Sequence, residues 1–203
     1  MTMKDYETLL NIKSSKQQLT FNPNSHLHRY EATHYEDLEQ LLIHHPFSEH
    51  DHIVDFGCGK GRLNFFIHHH CQSYVTGVEM DADLIQDALV NKQTYSQTHS
   101  INLNKIDFLQ CMAQEYNIKP HDQYFYFFNP FSVQIFMKVI ENILASVETH
   151  PRPIEIILYY PLDDYIFYLE STYLFELKQE ILLPKFERDN RERFVIYQLS
   201  YLQ

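Results

Sequence analysis

The chain has 203 residues, of which 44% are hydrophobic and 21% charged, as in ordinary globular domains, and its formal net charge is −11. No apolar run approaches about 20 residues, and the first 30 residues are polar, so we expect neither a membrane span nor a secretory signal. The widely spaced Cys58, Cys71 and Cys111 exclude a disulfide framework and a structural zinc site, which favours a reducing, cytoplasmic setting. The net negative charge disfavours nonspecific binding to nucleic acid, because such binding depends on Lys and Arg contacts with phosphates.

Residues 1–50 are predicted to form a helical cap segment, separate from a main domain over residues 51–203. A short helix is expected at residues 6–12. A second helix is expected to begin near Thr33, whose hydroxyl, with Glu36 three residues later, matches a capping box. Pro46 ends that helix.

From residue 51 onward, strand patterns and helix patterns alternate. Strands are predicted at 52–56, 74–79, 103–108, 122–129, 154–160, 173–183 and 193–201, and helices at 61–71, 82–96, 111–116, 132–147 and 162–170. Such repeated units predict an α/β, doubly wound, Rossmann-like sheet that is mostly parallel. The last two strands have no helix between them and should form an antiparallel hairpin. Ligands of such sheets bind beyond the carboxyl ends of the strands.

All four glycines lie between Gly57 and Gly77, and three of them fall in the turn DFGCGKG at residues 55–61. Glycine is needed where the backbone adopts positive φ or approaches a ligand closely. The spacing is GxGxG, and Arg62 stands where a dinucleotide fingerprint has its third glycine. With Asp55 before the first glycine, this turn resembles motif I of class I S-adenosylmethionine-dependent methyltransferases.

That resemblance implies a seven-stranded sheet in the order 3-2-1-4-5-7-6 and S-adenosylmethionine as cofactor. In the family the glycine turn lies under the methionine part of the cofactor. Glu79 would accept hydrogen bonds from the ribose hydroxyls, and Met80 would pack on the adenine. Asp107 would accept from the adenine amine, with Phe108 near the ring. The implied cofactor residues on these strands are Asp55, Phe56, Gly57, Cys58, Gly59, Gly61, Glu79, Met80, Asp107 and Phe108.

The turn Asn129-Pro130-Phe131 resembles motif IV of amino-directed methyltransferases, although it has one proline where that motif has two. The resemblance implies that Asn129 and the backbone carbonyls accept the hydrogens of a target nitrogen, and that the aromatic ring stacks on a planar target. These three residues are the catalytic candidates, and Asn129 also borders the cofactor. Alternatively, Asn129 and Pro130 simply cap the following helix.

Tyr30, Thr33 and Tyr35 resemble motif X, a segment before the main domain that donates hydrogen bonds to the carboxylate of the cofactor. A helix cap with surface aromatics is an equal alternative. If the reaction needs a general base, Tyr160, Asp163 and Tyr35 are positional candidates.

Two further patterns are interpreted as structural. The consecutive histidines of residues 68–70 point in different directions on one helix, so no metal site is predicted. A basic cluster near the C-terminus is interpreted as a solvated loop, and it consists of Lys185, Arg188, Arg191 and Arg193.

The sequence therefore predicts a cytoplasmic methyltransferase with an unidentified acceptor, a small molecule or a protein side chain, with an amino nitrogen as a candidate target. Two alternatives are an NAD-dependent oxidoreductase and a non-catalytic protein that binds S-adenosylmethionine. No membrane partner is expected, and a homo-oligomer is left open.

Overall fold

The computed structural model describes residues 3–15, 31–98 and 102–199. Its helices are α1 (Met3–Leu10), α2 (Tyr35–His44), α3 (Arg62–Cys71), α4 (Ala82–Thr98), α5 (Val133–Thr149) and α6 (Asp163–Ser171). Its strands are β1 (His52–Phe56), β2 (Tyr74–Glu79), β3 (Ile106–Gln110), β4 (Tyr124–Phe127), β5 (Glu155–Tyr159), β6 (Phe175–Leu182) and β7 (Arg193–Leu199). Single 3₁₀ turns lie at Leu103–Lys105 and Ala113–Glu115. No helix within these ranges has both the length and the apolar character needed to cross a bilayer.

The seven strands form one sheet in the order β3-β2-β1-β4-β5-β7-β6, which confirms the predicted order. Strands β1 to β5 run parallel, and β7 pairs antiparallel with both β5 and β6. The central strands β1 and β4 are buried on both faces, and the uninterrupted aromatic sequence of β4 is typical of such a strand. The predicted doubly wound α/β class is therefore confirmed.

Each face of the sheet carries its own hydrophobic core. On one face, Phe56 and Phe127 stack with ring centroids 5.1 Å apart, and Phe136 of α5 packs edge-on against Phe127 at 5.0 Å. On the other face, Phe65 and Phe66 of α3 are fully buried among residues of α1, α2 and β3. This packing fixes α3, and with it the glycine turn, against the sheet.

Helix α2 is anchored to the sheet through polar pairs as well as apolar contacts. The Tyr159 hydroxyl donates to Asp37 Oδ2 at 2.7 Å, and both side chains are buried. Thr33, just before the helix, pairs its hydroxyl with that of Tyr126 at 2.7 Å. The predicted capping box is therefore wrong: α2 begins at Tyr35, its N-cap residue is His34, and the Thr33 hydroxyl bonds across to β4 instead.

Strand β3 begins later than predicted. The side chain of Asn102 accepts a hydrogen bond from the backbone N–H of Asn104, which folds Leu103–Lys105 into a 3₁₀ turn. The strand therefore runs from Ile106 to Gln110, two residues beyond the predicted end at 108. This shift changes which residues lie at the carboxyl edge of the sheet.

Positive φ angles occur at Gly57 (79°), Gly59 (52°) and Gly61 (82°), as the glycine turn requires. Within the described ranges five other residues share this left-handed region, and they are Asn11, Gln72, Asn129, Tyr160 and Tyr173.

Candidate active site

Three strand ends meet at the carboxyl edge of the sheet. Phe56, the last residue of β1, pairs with Val78 of β2 on one side and with Phe127, the last residue of β4, on the other. The glycine turn, Glu79 and the Asn129 turn therefore emerge side by side. This is the topological switch point of the sheet, since β2 and β4 flank β1 on opposite sides.

The glycine turn is held by hydrogen bonds to β2. The backbone N–H groups of Gly57 and Cys58 both donate to the carbonyl of Val78, at 2.8 and 3.2 Å. Gly61 N–H donates to the carbonyl of Cys58 at 2.9 Å, and Gly59 N–H donates to Glu79 Oε2 at 3.1 Å. Because these four donors are already paired within the protein, they do not form the open cradle that binds the pyrophosphate of a dinucleotide.

Two of the glycines allow close contacts that a side chain would prevent. A Cβ atom on Gly57 would lie 2.5 Å from Cβ of Pro130, and one on Gly61 would lie 2.6 Å from the ring of Phe108. The first contact joins the glycine turn directly to the Asn129 turn. The second shows that Phe108, which is buried, supports the turn from below.

The Glu79 carboxylate lies at the end of β2, as predicted. Its Oε1 accepts from the N–H groups of Met80 and Asp81 at 2.8 and 3.0 Å, and its Oε2 accepts from Gly59. Burial raises the pKa of Glu79, while these three N–H donors oppose the increase. A carboxylate has about four acceptor positions, so Oε2 retains capacity for a further hydroxyl donor.

Asp55 is buried beneath the glycine turn. In the amide orientation that satisfies both partners, Asn64 donates to Asp55 Oδ2 at 3.0 Å and accepts from the N–H of Gly77 at 3.2 Å. Burial, together with the nearby Glu79 charge, raises the pKa of Asp55 to about 8. The carboxyl group is therefore poised to ionise when a cation is placed against it.

Because β3 begins and ends later than predicted, Asp107 lies inside the strand and not at the carboxyl edge of the sheet. Asp107 pairs with Thr76, three residues before Gln110, which is the partner of Glu79. The residues that follow the strand end are Cys111, whose N–H donates to the carbonyl of Glu79, and Met112. Asp107 therefore lies within the strand and not at its end, and Gln110 and Met112 occupy the strand end and the loop that follows it.

Asn129 has its carboxamide orientation fixed by the loop after β5. Its Nδ2 donates to the carbonyl of Tyr160 at 2.5 Å, and its Oδ1 accepts from the N–H of Leu162 at 3.2 Å. Helix α5 begins later, with Ser132 as N-cap residue, so Asn129 does not cap it. One acceptor position on Oδ1 remains, because a carbonyl oxygen has two.

The aromatic side chains around this turn are placed differently from the prediction. Phe131 is only 4% exposed, its ring packs edge-on near Phe127, and its carbonyl accepts from the hydroxyl of buried Tyr165. A ring in that position does not face an acceptor. Phe128 and Tyr160 are partly exposed, and their rings approach to 6.4 Å.

Of the motif X candidates, Tyr30 lies outside the described residues. Thr33 is buried and pairs with Tyr126, whose backbone partner in the sheet is Asp55. Tyr35 is turned the other way, because its ring stacks on Tyr6 at 4.7 Å and lies under the Arg62 guanidinium. The structure therefore places Thr33 next to the strand partner of Asp55, while Tyr35 lies against Arg62, the residue that follows the glycine turn.

Among the described residues, one group of potential metal ligands lies away from this edge. This group lies at the amino-terminal end of β1, whereas the glycine turn follows the carboxyl end of the same strand. It consists of His52, His121 and Asp122. The Asp122 carboxylate there accepts from the Tyr116 hydroxyl and the Lys119 N–H, which gives it a structural role.

The sequence comparison supports the predicted class of enzyme. A family model described as a methyltransferase domain matches residues 31–127, which span α2 to β4 and carry the glycine turn and Glu79. The prediction of a class I S-adenosylmethionine-dependent methyltransferase is thereby confirmed. No protein with a curated description matches the sequence.

Solved structures share the fold of this methyltransferase at low sequence identity. A human methyltransferase 10 domain containing protein is 10% identical, with a TM-score of 0.64 over 98% of this chain and 94% of its own. An RNA methyltransferase from Salinibacter ruber, in complex with S-adenosyl-L-homocysteine, is 14% identical, with a TM-score of 0.53 over 83% and 92%. A methyltransferase from Geobacter sulfurreducens with the same ligand is 12% identical, with a TM-score of 0.56 over 81% and 90%.

Proposed function

We propose that this chain transfers a methyl group from S-adenosylmethionine to an amino nitrogen held at the Asn129 turn. The observation that carries this proposal is the contact between Gly57 and Pro130, which places the cofactor turn and the acceptor turn against each other. Bound S-adenosylmethionine supplies a methyl carbon activated by its sulfonium. The protein's contribution is then to align an acceptor and exclude water.

The cofactor would lie across the ends of β1, β2 and β3. Asp55 would face its ammonium group, and the free acceptor position of Glu79 would take a ribose hydroxyl. Met80 and Met112 follow β2 and β3 and are 42% and 41% exposed, so they are suited to enclose an adenine ring. Gln110 replaces Asp107 as the candidate partner of the adenine amine.

The acceptor would be oriented by oxygen atoms of the Asn129 turn. The remaining acceptor position of Asn129 Oδ1 and a backbone carbonyl would take the two hydrogens of an amino group, which turns its lone pair toward the methyl carbon. That lone pair forms the new N–C bond as the C–S bond breaks, and the nitrogen then releases a proton to solvent. The partly exposed rings of Phe128 and Tyr160 supply apolar surface for a planar acceptor.

The test is transfer of labelled methyl from S-adenosylmethionine into cell extract that has been separated into small molecules, RNA and protein. We expect label in one fraction, and none with Asp55→Ala. Asn129→Ala should keep S-adenosyl-L-homocysteine binding but lose transfer. Asn142→Ala, which removes an exposed carboxamide of α5, should keep both. Cofactor binding without labelling of any fraction would support the non-catalytic alternative instead.

A further inference from the structure

Arg62 follows the glycine turn directly and is one of the few buried cations of the described chain, at 5% exposure. It is the first residue of α3, and Gly61 before it has a φ of 82°. A buried guanidinium is costly unless its N–H groups are paired. The hydrogen-bond and ion-pair partners of Arg62 therefore indicate its structural role.

The Arg62 side chain contacts two separate parts of the N-terminal region. Its Nε donates to Ser14 Oγ at 2.8 Å, and its Nη2 lies 3.7 Å from Glu7 Oε1. Its Nη1 donates to the carbonyl of Thr33 at 3.1 Å. The guanidinium also covers the ring of Tyr35, with its carbon 4.7 Å from the ring centroid.

Each of the two contacted parts is hydrogen-bonded to a further element of the fold. Ser14 is fixed by Glu7, which accepts from both the N–H and the hydroxyl of Ser14. Thr33 continues to Tyr126, the strand partner of Asp55. Arg62 is therefore the point where α1, the entry to α2 and the glycine turn are joined.

We propose that Arg62 is a positioning residue that couples docking of the N-terminal segment, residues 5–15, to cofactor binding at the glycine turn. The inference rests on the proposed function. A ligand that orders the turn fixes the Arg62 backbone, and the guanidinium then holds Ser14 and Thr33. Because linkage is reciprocal, loosening the segment must weaken the ligand by the same factor.

The experiment measures S-adenosyl-L-homocysteine affinity and amide hydrogen exchange in the full chain. Arg62→Lys removes the forked donor set but keeps the charge, and we expect affinity to fall about tenfold. In the native chain the ligand should slow exchange in residues 5–15, and Arg62→Lys should abolish that slowing. Ser14→Ala should weaken binding about threefold, which provides the same test should Arg62→Lys fail to fold.

Two matched controls separate coupling from general stability. Arg152→Lys alters a part-buried arginine that also donates to backbone carbonyls, but near the His52 end of the sheet. Ser15→Ala removes an exposed hydroxyl bonded to the same Glu7. Both should leave affinity within about twofold.

The coupling would be overturned if both Arg62→Lys and Ser14→Ala left the affinity for S-adenosyl-L-homocysteine unchanged. It would also be overturned if the ligand did not change the rate of amide hydrogen exchange in residues 5–15 of the native chain. Either result would leave the proposed function intact. A native chain that binds no S-adenosyl-L-homocysteine would overturn both.

Discussion

Pro130 occupies the space that a side chain on Gly57 would need, since a Cβ atom there would lie 2.5 Å from Cβ of Pro130. The two residues belong to turns that follow neighbouring strands, β1 and β4. The absence of one side chain therefore determines how closely the proposed cofactor and acceptor turns approach each other.

Gly57→Ala should destabilise the fold by about 1–3 kcal/mol, because it combines this clash with an unfavourable positive φ. Chemical denaturation of the ligand-free chain measures the loss. The double variant Gly57→Ala/Pro130→Gly removes the clash and should recover part of it. Simple addition of the two single losses would show that the contact is unimportant.

Asp55→Asn should weaken S-adenosyl-L-homocysteine at least about tenfold, because the ligand's ammonium loses its charged partner. Asp107→Asn makes the same chemical change on β3 and should alter affinity less than about twofold, since Asp107 pairs with Thr76 inside the sheet. Isothermal titration distinguishes the two variants. Equal losses of affinity in the two variants would show that Asp107 contributes to the binding site as much as Asp55 does.

Affinity for S-adenosyl-L-homocysteine should rise between pH 6 and pH 8 and then level off. Burial raises the pKa of Asp55 to about 8, and an ammonium group selects the ionised carboxylate, so binding releases a proton below that pH. 5′-Methylthioadenosine lacks the ammonium and serves as control, with a shallower dependence expected. Identical pH profiles for both ligands would contradict this role of Asp55.

The same carboxyl group should affect stability in the opposite direction. Its folded pKa lies above the unfolded value of about 3.9, so the ligand-free protein binds an extra proton and loses stability as pH rises from about 4 to 8. Asp55→Asn should reduce that slope in denaturation midpoints measured across the range. An unchanged slope would mean that Asp55 titrates normally.

Tyr159→Phe should cost about 1–3 kcal/mol, because it leaves the buried Asp37 carboxylate without its hydroxyl donor. Tyr173→Phe is the matched control, since Tyr173 is 89% exposed, and it should change the free energy of unfolding by less than about 0.5 kcal/mol. Thermal unfolding compares the two. A negligible effect of Tyr159→Phe would show that water replaces the hydroxyl.

The positions of the strands and of the glycine turn could be predicted because both depend on local signals, whereas the strand order was implied by the resemblance to a known family. The run 52–56 is apolar, and glycines follow it at once, so the strand end could be located to the residue. At β3 the predicted strand included residues 103–105, where the Asn102 side chain instead supports a 3₁₀ turn. The strand consequently begins and ends later than predicted, and Asp107 lies inside it.

Other site features depend on contacts between distant residues. The Thr33 hydroxyl could cap a helix or bond elsewhere, and the decision comes from Tyr126, 93 residues away. Phe131 could face an acceptor or the core, and packing under α5 and α6 decided it. Such choices depend on which partner is nearest in the folded chain, which sequence spacing alone does not state.

Because glycine is confined to residues 57–77, five described positions with left-handed backbone are filled by larger residues. Tyr173 is the least constrained of them, with a φ of 54° on an almost fully exposed side chain. Left-handed backbone costs a residue with a Cβ about 1–2 kcal/mol. Substitution at such a position therefore offers a way to raise the thermal stability of the protein without changing residues at the carboxyl edge of the sheet.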